Sequence, residues 1–188
     1  MSKKYIALYV GRIAPEKDLM TLEKTIKGVS PLIKKDLHWV IVGDGPSFGE
    51  MKEALKCESV TFTGYLSGSE LSNAYASAHQ FIFPSTTETF GNVVLEAMAS
   101  GLPSIVADSG GVKSIVQHER TGFLCEPGNN EQFIKRVEQL VREPKLRANM
   151  SKRARDIALK QSWEDIFDKL FDEYKQAISL GEVILREA

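Results

Sequence analysis

Residues 80–107 read QFIFPSTTETFGNVVLEAMASGLPSIVA. Two short apolar runs, Gln80–Phe83 and Ser104–Ala107, bracket a helical stretch. Both runs are followed by turn-forming residues, as strands commonly are. Between them Val93, Val94, Leu95, Ala97 and Met98 form a helix that is apolar nearly all round, so it is expected to be buried. Strand, loop, buried helix and strand in this order form the unit from which parallel sheets are built.

The same alternation extends outward in both directions. Further strands are expected at Tyr5–Val10, Trp39–Val42, Val60–Thr63 and Gly122–Cys125. Leu19, Leu22, Ile26 and Val29 recur at helical spacing, as do Leu71, Tyr75 and Ala78. Runs this apolar imply strands covered on both faces. The expected fold is therefore α/β: a doubly wound, parallel, six-stranded Rossmann-like sheet with right-handed crossovers and extra C-terminal helices.

From about Asn129 the alternation stops. Phe133, Val137, Leu140 and Val141 mark one helix, and Pro144 begins or precedes another. Trp163, Ile166, Phe167, Leu170, Phe171, Tyr174 and Ile178 form a last apolar stripe. Its first half, through Leu170, is expected to pack on the domain. Phe171 to Ile178 and then Val183, Ile184 and Leu185 are expected to be incompletely buried. The organisation is one domain over residues 1–161 with residues 162–188 as its helical tail.

Composition narrows the function classes. The chain has 188 residues, 24 Lys+Arg and 25 Asp+Glu, for a formal net charge of -1. That balance gives no overall basic field to recruit nucleic acid or an anionic membrane. No apolar stretch approaches the roughly 20 residues of a transmembrane helix. Cys57 and Cys125 lack companions at zinc-site spacing and read as reduced thiols of a cytosolic protein.

In a doubly wound sheet, ligands bind beyond the carboxyl ends of the strands. After the first expected strand come Gly11, Arg12 and Lys17. Lys17 stands near a helix N-terminus, where the dipole disfavours cations unless an anion uses them. Two readings stand: a phosphate site, or a solvated loop whose cations pair with Glu16 and Asp18. After the second strand, Gly43-Asp44-Gly45-Pro46 has the wrong spacing for a dinucleotide fingerprint and lacks the acid that should follow the next strand. It reads as a tight turn. The loop at Gly64-Tyr65-Leu66-Ser67 either offers backbone to a flat ring or simply leads into a helix capped by Ser67.

The loop quoted at the outset carries most of the chemistry. Gly91 and Asn92 open a helix with no acid in its first turn, which leaves the positive dipole end for a ligand. Glu88 lies just before this helix and Glu96 lies within it. A carboxylate on a buried helix needs donors. Either Arg12 and Lys17 or the hydroxyls of a ligand supply them, or Glu96 forms a buried pair with Arg12 and Glu88 is a surface residue. Gly110 and Gly111 likewise permit close approach of a ligand or form an ordinary loop. The three histidines suggest no triad. There is no P-loop, no Asp-x-Asp pair for a pyrophosphate-bound metal and no RNA-binding signature.

Together these residues resemble a known family. The chain is similar to the C-terminal, nucleotide-sugar-binding domain of GT-B-fold retaining glycosyltransferases of group 1, which include phosphatidylinositol mannosyltransferases and sucrose synthases. The resemblance spans Tyr5 to Leu124. It rests on Val10-Gly11-Arg12-Ile13-Ala14-Pro15-Glu16-Lys17, Val42-Gly43-Asp44-Gly45-Pro46 and Phe62-Thr63-Gly64-Tyr65-Leu66. Most specific is the E-x7-E frame of Glu88 and Glu96 followed by Ala97-Met98-Ala99-Ser100-Gly101-Leu102-Pro103.

The resemblance implies the following roles. Arg12 and Lys17 hold the donor diphosphate beside Gly11. The helix opening at Gly91, Asn92, Val93 and Val94 adds backbone N–H groups to the phosphates, and Phe90 beside it is a further substrate-binding residue. Glu88 binds the donor sugar and Glu96 the ribose, while Tyr65 and Leu66 meet the base. It implies a UDP- or GDP-linked sugar as donor, with no cofactor and no metal. It also implies an N-terminal Rossmann-like domain as partner, absent from this sequence, and a cytoplasmic location, at the inner membrane face if the acceptor is a lipid. Two alternatives remain: a nucleotide-sugar-binding or regulatory module without transfer activity, and a GT-B epimerase or phosphorylase.

Overall fold

β-branched and aromatic side chains fill a pleated surface that is covered on both sides, and the apolar runs accordingly become strands. The computed structural model describes residues 4–161, 167, 171–176 and 178. Its strands are β1 (Tyr5–Val10), β2 (Leu37–Val42), β3 (Val60–Gly64), β4 (Gln80–Phe83), β5 (Ser104–Ala107) and β6 (Gly122–Cys125). All pair in parallel, in the order β3-β2-β1-β4-β5-β6. Every residue of β4 and β5 is buried. Since alternate side chains point to opposite faces, both faces of the sheet must be covered.

The expected strands appear with two changes of boundary. β2 starts at Leu37 rather than Trp39, because Tyr5 opposes Leu37 and the ladder begins where β1 begins. β3 runs on to Gly64, where a register shift between Ile41 and Val42 lets Val42 oppose that glycine.

The helices are α1 (Leu19–Gly28), α2 (Pro31–Lys34), α3 (Phe48–Ala54), α4 (Gly68–Ser77), α5 (Asn92–Ala99), α6 (Val112–Ile115), α7 (Asn130–Arg142) and α8 (Pro144–Ala158). α7 buries Phe133, Val137 and Leu140 and packs on α1. α8 begins at Pro144, buries Met150 and Ala154, and packs on α5.

α5 departs from expectation. Val94, Ala97 and Met98 face the core, but Asn92 and Glu96 are exposed. The helix has a polar side, and Glu96 is not a buried carboxylate. Beyond α8, Phe171, Tyr174 and Ile178 are exposed as expected, while Phe167, expected to pack, is exposed as well. Trp163, Ile166, Leu170 and Val183 to Leu185 lie outside the described residues. Among the described residues no helix is long and apolar enough to cross a membrane.

Strand order reverses between β1 and β4. Chains leaving these neighbours turn to opposite sides and open a crevice between them. The loop after β1 and the loop after β4 form its two lips.

Candidate functional site

The first lip is built on backbone contacts. Gly11 N–H donates to the Val42 carbonyl at 3.0 Å and Ile13 N–H to the Asp44 carbonyl at 2.9 Å. This joins the loops after β1 and β2 so closely that a Cβ on Gly43 would lie 1.9 Å from the Gly11 carbonyl oxygen. Only glycine fits at that position, which also has φ +135°. Beneath the lip, Tyr9 is buried and stacks on Phe83 with ring centroids 5.9 Å apart. Its hydroxyl donates to the Arg12 carbonyl at 3.1 Å. Burial holds the Tyr9 phenol well above its ordinary pKa, and the charges of Glu88 and Glu16 push the same way.

The charged residues of this loop take separate partners. Arg12 is exposed, with Nη1 3.5 Å from Glu16 Oε1. Asp18 caps α1, its Oδ1 accepting from Thr21 N–H at 3.3 Å. Lys17 is half-buried and donates from Nζ to Glu88 Oε2 at 2.6 Å, across the crevice. Glu88 is thus not a surface residue.

The second lip is pinned around Glu88. Thr87 Oγ1 donates to the Glu16 carbonyl at 3.0 Å. Ser109 Oγ donates to the Thr86 carbonyl at 3.2 Å, and Gly111 N–H to the Glu88 carbonyl at 2.8 Å. A Cβ on Gly111 would lie 2.1 Å from the Thr89 carbonyl oxygen. The glycine pair after β5 therefore makes room for the Glu88 loop itself. Gly91 caps α5, and its carbonyl accepts from Val94 N–H at 2.9 Å. The amides of Asn92 and Val93 find no acceptor among the described residues. Phe90 is exposed and Val94 is in the core.

Glu96 pairs with neither cation. Its Oε2 accepts from the Tyr75 hydroxyl at 2.8 Å. Burial raises the pKa of Tyr75, and the adjacent Glu96 charge and hydrogen bond raise it further.

Two adjoining clefts occupy the crevice. The first, about 460 Å³, is lined by Gly11, Arg12, Lys17, Glu88 and Val93 among others. The second, about 510 Å³, is lined by Arg12, Val42, Tyr65, Leu66, Val93 and Glu96 among others. Gly11, Arg12 and Val93 belong to both. The two carboxylates of the E-x7-E frame therefore serve different compartments, Glu88 the charged one and Glu96 the more apolar one. Ser67 stands at the N-cap of α4 but makes no side-chain capping bond.

Sequence reasoning missed Tyr9, Tyr75 and Thr87. Tyr75 reads as core because it shares a face with Leu71 and Ala78; only its hydroxyl differs from a core residue. Thr87 lies next to Glu88 and carries no signal of its own.

A parallel sheet of this order, with a cationic loop facing an acidic one at the switch point, makes the chain a Rossmann-like domain with its crevice where such domains bind ligands. Residues 1–157 match the family model for glycosyl transferases group 1, and the chain belongs to that family. It is 37% identical over 94% of its length to a sulfoquinovosyl transferase of Arabidopsis thaliana, of which it covers 34%. It is 38% identical over 92% of its length to a GDP-mannose-dependent alpha-mannosyltransferase of Mycobacterium tuberculosis, of which it covers 43%. The chain thus spans less than half the length of these relatives. The fold matches that of Anabaena HepE, solved in complex with UDP and glucose, with a TM-score of 0.80 at 21% identity, over 93% of this chain and 49% of that one.

Proposed function

We propose that this chain is the donor-binding half of a retaining, metal-independent glycosyltransferase. It takes a sugar from a UDP- or GDP-linked donor and passes it to an acceptor held largely by a second domain. The observation that carries the reading is the Lys17–Glu88 contact of 2.6 Å across the switch-point crevice, with Arg12 exposed above it. The relatives' names include a GDP-linked donor and the solved neighbour holds UDP, so both bases stay in the proposal.

Donor placement follows from the two clefts. The diphosphate lies where they meet, against Arg12, Lys17 and the free amides that head α5. Arg12 is bound only loosely by Glu16, so its guanidinium is free to turn to phosphate. The sugar occupies the charged cleft, with hydroxyls on Glu88. The ribose and base occupy the other cleft, with ribose hydroxyls on Glu96 and the base between Tyr65 and Leu66. As the bond from the anomeric carbon to the phosphate oxygen breaks, the acceptor oxygen bonds to that carbon on the same face. The acceptor's proton passes to the departing phosphate oxygen. Arg12, Lys17 and the helix dipole stabilise the negative charge that collects on the diphosphate. These groups supply the neutralisation that a metal ion provides elsewhere.

Calorimetric titration of UDP, GDP, UMP and GMP tests this reading. Each diphosphate should bind more tightly than its monophosphate, and EDTA should leave the affinities unchanged. Arg12→Ala and Lys17→Ala should each cost roughly 1.5–3 kcal/mol, the range for charge-assisted hydrogen bonds. Unchanged diphosphate affinity in the double variant, or a strict need for Mg²⁺ or Mn²⁺, would contradict it.

A further inference from the structure

Tyr75 is almost wholly buried, with 3% of its surface exposed. It lies on α4 one turn beyond Leu71, which lines the second cleft. Side chains so spaced share a helix face. The face that helps close the cleft therefore also carries the phenol. The ring packs against Phe81 of β4 with centroids 6.1 Å apart, which limits where the hydroxyl can reach. That hydroxyl donates to Glu96 Oε2 at 2.8 Å and lies 3.4 Å from the Val93 carbonyl.

Glu96 is itself exposed. An exposed glutamate samples many rotamers and must give them up to grip a ligand. One already held by a buried donor gives up less, and its affinity gains accordingly. The hydrogen bond occupies Oε2, while Oε1 accepts none among the described residues. One oxygen is anchored and the other remains an acceptor.

We infer that Tyr75 is a positioning residue, holding the Glu96 carboxylate in the geometry that accepts the vicinal hydroxyls of the donor ribose. The inference rests on the reading of Glu96 as the ribose ligand, and the test separates the two. Calorimetry on the 188-residue chain compares UDP and GDP with their 2′,3′-dideoxy counterparts. In the wild type the ribose forms should bind more tightly. In Tyr75→Phe that preference should shrink about three- to tenfold, the worth of one hydrogen bond, while the dideoxy forms bind as before. Adding Tyr75→Phe to Glu96→Gln should change the preference no further. Should Tyr75→Phe fail to fold, Tyr75→Met fills the space without a hydroxyl and must give the same result.

A merely structural tyrosine would weaken all four nucleotides alike and leave the preference intact, which would overturn the proposal. A preference lost in Glu96→Gln but kept in Tyr75→Phe removes the role of Tyr75 and keeps the ribose site. A preference kept in Glu96→Gln removes the ribose reading, and this proposal with it. Failure of all four nucleotides to bind has the same consequence.

Discussion

Arg12 and Lys17 share one loop but answer to different demands. Arg12 is 66% exposed in its side chain and meets Glu16 only at 3.5 Å. Exposed pairs of this kind contribute little to stability. Lys17 is largely enclosed and is bonded to a Glu88 that is enclosed as well. Removing Lys17 leaves a half-buried carboxylate without its donor. Thermal or denaturant unfolding should therefore separate them. Arg12→Ala should unfold within about 0.5 kcal/mol of wild type. Lys17→Ala should lose about 1–2 kcal/mol. Equal losses would show that Arg12 is held by the fold and is not free for a ligand. The pairing of Lys17 with Glu88 was not legible in the sequence. The two stand 71 residues apart, and only the sheet order brings their loops together.

Elements whose ends are set by local punctuation were legible. β1, β4, β5 and β6 begin and end as expected, and for the first three the chain itself marks a limit: Gly11 follows β1, Pro84 follows β4, and Pro103 and Asp108 bracket β5. β2 was not, since its start depends on its neighbour, β1. The exposure of Glu96 was hidden for a related reason. Periodicity shows that α5 is mostly apolar but not that Tyr75 of α4 meets its polar side. β6 ends in Cys125, a buried thiol whose pKa is raised by burial, against a smaller opposing effect of Arg136, to about 12. The folded state therefore keeps its proton where the unfolded state has lost it. The stability is fully present below the unfolded thiol's pKa, near 9, and falls as pH rises above it. The expected slope approaches about 1.4 kcal/mol per pH unit. Denaturant unfolding at pH 8, 9 and 10 should show this decline in wild type and a flatter profile in Cys125→Ala. Parallel profiles would show that the thiol titrates alike in both states.

For the molecule as a whole, the sheet order gathers separate motifs at one crevice. The Gly11–Lys17 loop, the Tyr65–Leu66 loop and the E-x7-E frame meet only because β1 lies between β2 and β4. Their individual physics left a ligand site and ordinary loops both open. Their combination was legible as a family resemblance, and family membership is now shown by the match over residues 1–157. The central claim is that a nucleoside diphosphate lies across this switch point. Mapping amide chemical shifts as UDP or GDP is added to the chain tests it most directly. The account predicts shifts concentrated at Gly11, Arg12, Lys17, Glu88, Val93 and Glu96, with Tyr65 and Leu66 moving as the base docks. No change on saturation, or changes centred away from the carboxyl ends of β1 and β4, would contradict it.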